Sequence, residues 1–346
     1  MAPTMKEVAA RAGVSTKTVS RVVNDHPSIS DAVRERVRRA IDELDWTPNA
    51  HARSLRTGRT GLIGLSLVDL KAPTTAGLAQ ALVIEAERQG LRLSIEPSRG
   101  RPERIAQTFA SRGALFDAVV HIGPLPHGCE TPTFDPDRPI IGLCTASTAE
   151  AEHPAALDAI DSDDAGAARS LTRHLQRVHH HEVVLLGREA ELPDAFLDAL
   201  IRAFPGAPVL RPEIRPGSRS THLADRAAGR ELAARALERH PWVRALVCAD
   251  DELAIGALSL LRERGLDIPA QVALTGYGNI DDGRFSTPSL TTVDLDLPEI
   301  ARLAVELISR RTSGDRSSPQ PIVVPTTLIR AESTLGASTA EHRWRR

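Results

Sequence analysis

The sequence has few cysteines, hardly any lysine and no long hydrophobic run. Its three cysteines, Cys129, Cys144 and Cys248, are odd in number and lack metal-ligand spacing. A disulfide framework is therefore not expected, and a reducing cytoplasm fits. No apolar stretch approaches the roughly 18 residues that cross a bilayer, which excludes a transmembrane helix and a membrane partner. Met1 to Val8 lacks a basic stretch followed by an apolar one, so no export signal is expected. Lysine occurs only at Lys6, Lys17 and Lys71, a bias that a GC-rich genome would produce without functional meaning.

What is present is a chain of 346 residues, 41% hydrophobic and 25% charged. That composition is globular, and the length suggests two or three domains rather than one core. The net charge of -2 conceals a split. Residues 1–60 carry 11 Lys+Arg against 7 Asp+Glu, and the remainder 32 against 38. A small basic head on an acidic body suggests that the head meets a polyanion.

The head reads as three short helices. Thr4-Met5-Lys6-Glu7 is a capping box, and the helix it opens carries Met5, Val8, Ala9 and Ala12 on one face and ends at Gly13. Ser15 is an N-cap for a second helix from Thr16 to about Asn24, with Val19, Val22 and Val23 inward. Asp25-His26-Pro27 breaks the pattern. Ser30 caps a third helix to about Asp45, with Val33, Val37, Ala40, Ile41 and Leu44 inward. Two helices about a tight glycine turn, with a third beneath, form the helix-turn-helix pattern. In that motif the second helix enters the DNA major groove. Here its leading side chains are Ser15, Thr16, Lys17 and Thr18, with Arg21 one turn on. Lys and Arg can donate to guanine O6 and N7, and Thr offers a hydroxyl or a methyl. The plain alternative is a solvated face of an ordinary helical subdomain.

The run from Asp45 to Thr60 holds Arg53, Arg56 and Arg59 and little apolar surface. A helix from about Asn49 to Arg56 is too short to be stable alone. It could fold on DNA, with arginines on phosphates and Leu55 as an apolar wedge. A flexible linker with incidental charge is the alternative.

These strings resemble the lactose-repressor (LacI/GalR) family over residues 4–65. The matching pieces are Thr4-Met5-Lys6-Glu7-Val8-Ala9, Ala12-Gly13-Val14-Ser15, Thr18-Val19-Ser20-Arg21-Val22-Val23-Asn24, Ala52-Arg53-Ser54-Leu55-Arg56 and Gly61-Leu62-Ile63-Gly64. The resemblance implies that Thr16, Lys17 and Arg21 choose the operator sequence and that Leu55 wedges into the minor groove. It implies a homodimer reading a pseudo-palindrome. With the reading of the residues it gives a DNA-contacting set: Thr4, Ser15, Thr16, Lys17, Thr18, Ser20, Arg21, Asn24, Asn49, Ala52, Arg53, Leu55 and Arg56.

From Leu62 strands alternate with helices, which argues for parallel sheets with helices on both faces. A cleft between two such lobes is a natural place for a small ligand. The resemblance continues to about residue 333 through Asp250-Asp251-Glu252-Leu253-Ala254-Ile255-Gly256-Ala257, Gly276-Tyr277, Thr287-Pro288-Ser289-Leu290-Thr291-Thr292-Val293 and Leu328-Ile329-Arg330. The expected fold is an all-α helix-turn-helix head plus an α/β two-lobed periplasmic-binding-protein-like core. Residues 1–48 are the head, 49–60 the hinge helix and linker, and 61–333 the effector-binding and dimerisation core. Lobe 1 takes about 61–159 and 293–316, and lobe 2 about 161–291 and 318–333. The chain crosses between them near 160, 292 and 317. Residues 334–346 read as a disordered tail.

The departures from the family concern the cleft. Pro73 is followed by Thr74 and Thr75 where relatives often carry aromatics. Leu192-Pro193-Asp194-Ala195-Phe196 lacks the arginine that often holds the effector, and Gly278 stands where an Asp is usual. Asp250 replaces the Asn that commonly precedes Asp251. The cleft candidates are Thr74, Thr75, Asp161, Asp250 and Gly278. Without stacking aromatics or a guanidinium clamp, a typical sugar effector is not expected. Something smaller or cationic, or no ligand, is left.

Other signals are weaker. His179-His180-His181-Glu182 cannot face one metal from a strand. Asp158, Asp161, Asp163 and Asp164 lack the glycine and distal glutamate of a calcium loop. Gly61-x-x-Gly64 lacks the third glycine of a dinucleotide fingerprint. No Ser, Cys or His lies in a nucleophile motif, so no catalysis, cofactor or metal is expected. The leading expectation is a cytoplasmic, nucleoid-associated transcriptional repressor whose cleft effector governs operator binding. The alternatives are a solute-binding module with a vestigial head and an α/β enzyme acting on a carbohydrate or nucleotide.

Overall fold

The computed structural model describes residues 3–23, 26, 28–46, 59–125, 129, 133–144, 157–188, 194–212, 226–319 and 321–336. Contacts divide the chain into two units, Met1–Gly61 and Leu62–Arg346.

In the first unit α1 (Met5–Ala12), α2 (Thr16–Val23) and α3 (Asp31–Glu43) follow in order. The Thr4–Glu7 capping box forms, and Gly13 closes α1 in the left-handed region at φ 66°. Val8, Ala9, Ala12, Val19, Val22, Val37 and Ala40 are buried together with Trp46. Trp46 corrects the sequence reading, which left it in the connecting run: its N–H bonds the Ile41 carbonyl, and its ring completes the small core. Ser30 is the N-cap residue of α3, as expected, but makes no side-chain cap bond. The proposed hinge helix at Asn49 to Arg56, Asn24 and residues beyond 336 lie outside the described residues; the expected disordered tail from 334 is corrected at its start, because Thr334 and Leu335 end a short helix, Glu332–Leu335, and Thr334 is buried.

The second unit contains two parallel sheets. The first has strands β1 (Leu62–Leu67), β2 (Arg92–Pro97), β3 (Ala118–Ile122), β4 (Ile140–Leu143), β5 (Asp158–Ser162) and β11 (Pro321–Val324), in the order β11-β5-β4-β3-β1-β2. Leu65 lies between Ile95 and Val120 in its register. Inner strands such as β3 are buried along their whole length, as parallel strands covered on both faces must be. Gly64 in β1 has a packing reason: a Cβ there would sit 2.7 Å from the Phe116 ring. The second sheet has β6 (Val183–Leu186), β7 (Val209–Leu210), β8 (Ala245–Cys248) and β9 (Ala273–Thr275), in the order β7-β6-β8-β9.

β10 (Thr292–Asp294) and β12 (Thr327–Ile329) form an antiparallel pair where the chain passes between lobes. The crossings correct the expected boundaries. Asp161 and Ser162 belong to β5 and pair with Val323 and Val324 of β11. The first crossing therefore falls after Ser162, and the third falls after Val324 rather than near 317. Residues 321–324 are part of the first lobe. Two of the crossing segments bond to one another, Asp163 N–H to the Val324 carbonyl, and the third accepts at Val293 from the Gly278 N–H of the second lobe, each at 2.9 Å.

Two helices of the second lobe, Arg226–Arg239 and Asp251–Glu263, cross at glycines. A Cβ on Gly256 would lie 2.0 Å from the Arg226 carbonyl oxygen, and one on Gly229 2.1 Å from that of Leu253. Backbone must shift to admit either, so Gly256→Ala is expected to cost about 1–3 kcal/mol. Thermal and urea unfolding of the purified protein measure it; unchanged stability would mean that the helices do not approach this closely.

Candidate functional site

The first candidate surface is the N-terminal end of α2. Ser15 forms its cap: the Thr18 N–H reaches the Ser15 Oγ at 3.1 Å, and the two hydroxyls lie 3.0 Å apart. Thr4 is likewise engaged, its backbone N–H donating to Glu7 at 2.6 Å, which holds that carboxyl below its ordinary range. Ser15, Thr16, Lys17 and Arg21 are exposed, and Thr18 and Ser20 are half-buried. The apolar side of the same helix, Val19 and Val22, is spent on the core. A cationic, hydroxyl-bearing strip is thereby presented without loss of packing. Asn24, Asn49, Ala52, Arg53, Leu55 and Arg56 lie outside the described residues.

The second is a cavity of about 180 Å³ between the two sheets of the core. In a parallel α/β lobe the strand C-termini and the following helix N-termini meet at one edge, and the cavity lies between two such edges. Thr74 and Thr75, in the first turn of helix Pro73–Arg88, line it from one lobe. Asp161 and Ser162, at the end of β5, line it near the first crossing. Asp164 opens helix Asp164–Arg177, Asp194 caps helix Ala195–Ala203, and Asp250 caps helix Asp251–Glu263; all three carboxylates face the cavity. The structure thus brings Thr74, Thr75, Asp161 and Asp250 together. Gly278 does not line the cavity, but it abuts it: at φ 124°, a Cβ there would meet the Thr74 Oγ1 at 2.8 Å.

The expectation of a cleft without guanidinium or aromatic side chains is corrected. Arg188, just past β6, lines the cavity, with its Nε 3.0 Å from Asp194 and 3.9 Å from Asp250. Phe196 and Tyr277 also line it, their rings stacked with centroids 4.1 Å apart. Both rings were in view in the sequence. The signal that could have found Phe196 is the run Asp194-Ala195-Phe196, an N-cap followed by an apolar residue in the first turn of a helix. That helix went unread.

Burial dominates the electrostatics. It pushes Asp164 and Asp250 up to about 6 and Asp251 up to about 7. Asp251 is held by the Thr292 hydroxyl at 2.6 Å and the Ile280 N–H at 2.9 Å. Burial, with Asp161 and Asp164 nearby, raises the Cys144 thiol to about 12, which makes it a poor nucleophile. Arg188 stays charged beside Asp194. Among the described residues no group of three His, Cys, Asp or Glu side chains could hold a metal ion, and no helix is long and apolar enough to cross a membrane.

The comparisons with known proteins agree with this arrangement. Residues 4–49 match the family described as bacterial regulatory proteins, lacI family, and residues 172–334 match a periplasmic binding protein-like domain. The transcriptional regulator CelR of Thermobifida fusca is 28% identical, over 96% of this chain and 98% of its own. GalR of Escherichia coli K12 is 29% identical over 95% of both. A solved CelR–cellobiose complex superposes with a TM-score of 0.64 at 25% identity, covering 96% of this chain and 99% of that one. The Lac repressor dimer bound to operator and an anti-inducer shares the fold, with a TM-score of 0.78 at 22% identity and the same coverage. A helix-turn-helix head on a two-lobed ligand-binding core defines a ligand-responsive transcriptional regulator. Over nearly its whole length the chain is similar to regulators of the LacI/GalR family.

One contact joins the lobes through the cavity wall. The Tyr277 hydroxyl lies 2.9 Å from the Ser162 Oγ and also donates to Asp164. Tyr277→Phe should destabilise the protein by about 1–3 kcal/mol, the worth of a bond to a buried charged group. It should also raise the Asp164 carboxyl beyond about 6, because the lost hydrogen bond lowers it. With a folded value already above the ordinary 3.8, this group weakens the fold as pH rises from about 4 to 6. In the variant the loss should extend to higher pH. Urea unfolding across pH measures both effects; a profile identical to wild type would refute the contact.

Proposed function

We propose that this regulator is a repressor that binds a pseudo-palindromic operator as a homodimer. The observation that carries the reading is the strip of Thr16, Lys17 and Arg21, exposed on a helix whose other side is consumed by the head core. Each head would take one half-site, with α2 in the major groove. Thr4, Ser15, Thr18, Ser20, Asn24 and Asn49 would add backbone and positioning contacts. Arg53 and Arg56 would grip phosphates, and Ala52 and Leu55 would meet the minor groove once residues 49–56 fold on DNA.

The effector would occupy the inter-lobe cavity among Thr74, Thr75, Asp161 and Asp250, with Gly278 admitting the approach of Thr74. A ligand favouring one arrangement of the lobes would shift the population of heads able to pair on DNA, with a coupling of about 1–3 kcal/mol. Such a protein works in the cytoplasm, where the nucleoid is. The earlier reason for setting a sugar aside, the missing aromatic and guanidinium groups, no longer holds, since Arg188, Phe196 and Tyr277 are in the cavity wall.

Alanine variants test the DNA-reading assignment. Arg21→Ala should cost about 1–3 kcal/mol on the preferred site and relax the base preference there, whereas Arg53→Ala should weaken all sequences alike and reduce the salt dependence. Gel shifts over a salt series and a set of half-site variants separate the two. Unchanged affinity and preference in Arg21→Ala would remove α2 from the groove.

A further inference from the structure

One short loop of the second lobe, Gly276-Tyr277-Gly278-Asn279, reaches both the crossings and the first lobe. It follows β9. The Tyr277 hydroxyl lies 2.9 Å from the Ser162 Oγ at the end of β5. The Gly278 N–H donates to the Val293 carbonyl at 2.9 Å, and the Asn279 N–H to the Thr292 hydroxyl at 3.3 Å, both on β10. Gly276 is packed against Asp251, where a Cβ would lie 2.1 Å from a carboxylate oxygen. Held on these sides, the loop has little freedom to give way.

What meets it from the first lobe is Thr74, in the first turn of helix Pro73–Arg88. A Cβ on Gly278 would lie 2.8 Å from the Thr74 Oγ1, inside the 3.4 Å at which ordinary contact begins. The backbone at Gly278, φ 124°, is also one that residues with side chains rarely adopt. Thr74 is mounted as firmly as the loop. It is β-branched, with few rotamers in a helix. Its helix is anchored in turn, since a Cβ on Gly77 would lie 3.2 Å from the Leu297 side chain. Two stiff parts of different lobes therefore touch, with no side chain on Gly278 to keep them apart.

Resting on the reading of the cavity as the effector site, we propose that Thr74 and Gly278 form the stop that sets how closely the lobes approach over the cavity, and that this approach governs the hold of the heads on DNA. Both are positioning residues. A ligand that draws the lobes together ends its work at this contact. A ligand too bulky to permit the contact holds them apart. The stop thereby sorts ligands by the lobe arrangement they favour, and one that fits both arrangements equally shifts nothing.

A reversible cross-link in the full-length protein reads the contact. The 2.8 Å approach puts positions 74 and 278 within reach of a disulfide, whose Cβ atoms stand about 3.8 Å apart. Thr74→Cys with Gly278→Cys, oxidised with copper-phenanthroline, should give a bond within one chain that peptide mapping places at 74 and 278. Thr74→Leu wedges the same contact from the side whose backbone is unstrained. On a genomic fragment that the wild-type protein selects, the cross-linked and wedged forms should differ at least about fivefold in Kd, with wild type between them or equal to one of them. Dithiothreitol should release the cross-linked form from its value. Thiols that stay reduced in the folded double variant overturn the proposal, as do equal Kd values for the locked and wedged forms. If circular dichroism shows that Gly278→Cys does not fold, Thr74→Leu against Thr74→Ala carries the test, and equal Kd values there overturn it too. Wild-type protein that selects no DNA would defeat the regulator reading instead, and the cross-link would still judge the contact.

Discussion

The need to satisfy helix N-termini shapes this molecule more than any other constraint. The first N–H groups of a helix have no partner inside it. In parallel α/β lobes those ends collect on one edge, beside the strand C-termini. Here the edge residues are Asp163, Asp194 and Asp250, each accepting from an N–H three residues on. The caps Asp194 and Asp250 therefore bring acid to the cavity whatever the ligand. Arg188 ties two of them together, and Tyr277 ties the third helix start to the end of β5. The same groups that begin the helices thus shape the cavity, set its potential and join the lobes at the first crossing.

The head solves the same problem on a smaller scale. Its core is mostly valine and alanine, with Trp46 closing one side. Such a core is thin, so the Thr4–Glu7 box and the Ser15 cap matter for holding the two helices. Because those polar contacts are local, the exposed side chains Thr16, Lys17 and Arg21 carry no structural duty and are available to a partner. A reading surface and a stable head are compatible here because they use opposite sides of one helix.

Much of this was legible in the sequence, and the losses have physical causes. The three head helices and the alternation of strands and helices in the core followed from caps, glycines and apolar spacing. Helix Ala195–Ala203 was missed because its entry, Leu192-Pro193-Asp194, read as a loop, and with it went Phe196 and the setting of Arg188. β11 was misplaced because its exposure alternates weakly at the sheet edge and its pairing partner, β5, is more than 150 residues away in sequence. Trp46 was not read as a core residue of the head because the run around it is polar. The cleft candidates Thr74, Thr75, Asp161 and Asp250 came from family positions, whereas the raised carboxyls of Asp164 and Asp250 depend on burial, which a sequence does not display.

The most direct measurement of the central claim is selection of genomic DNA fragments by the purified full-length protein against excess non-specific competitor. A head that reads bases through α2 and pairs with a second copy predicts enrichment of one short motif with two inverted half-sites, centred about which the sequence is symmetric. Recovery of fragments without a shared motif, or no recovery above the competitor background at moderate salt, would contradict it.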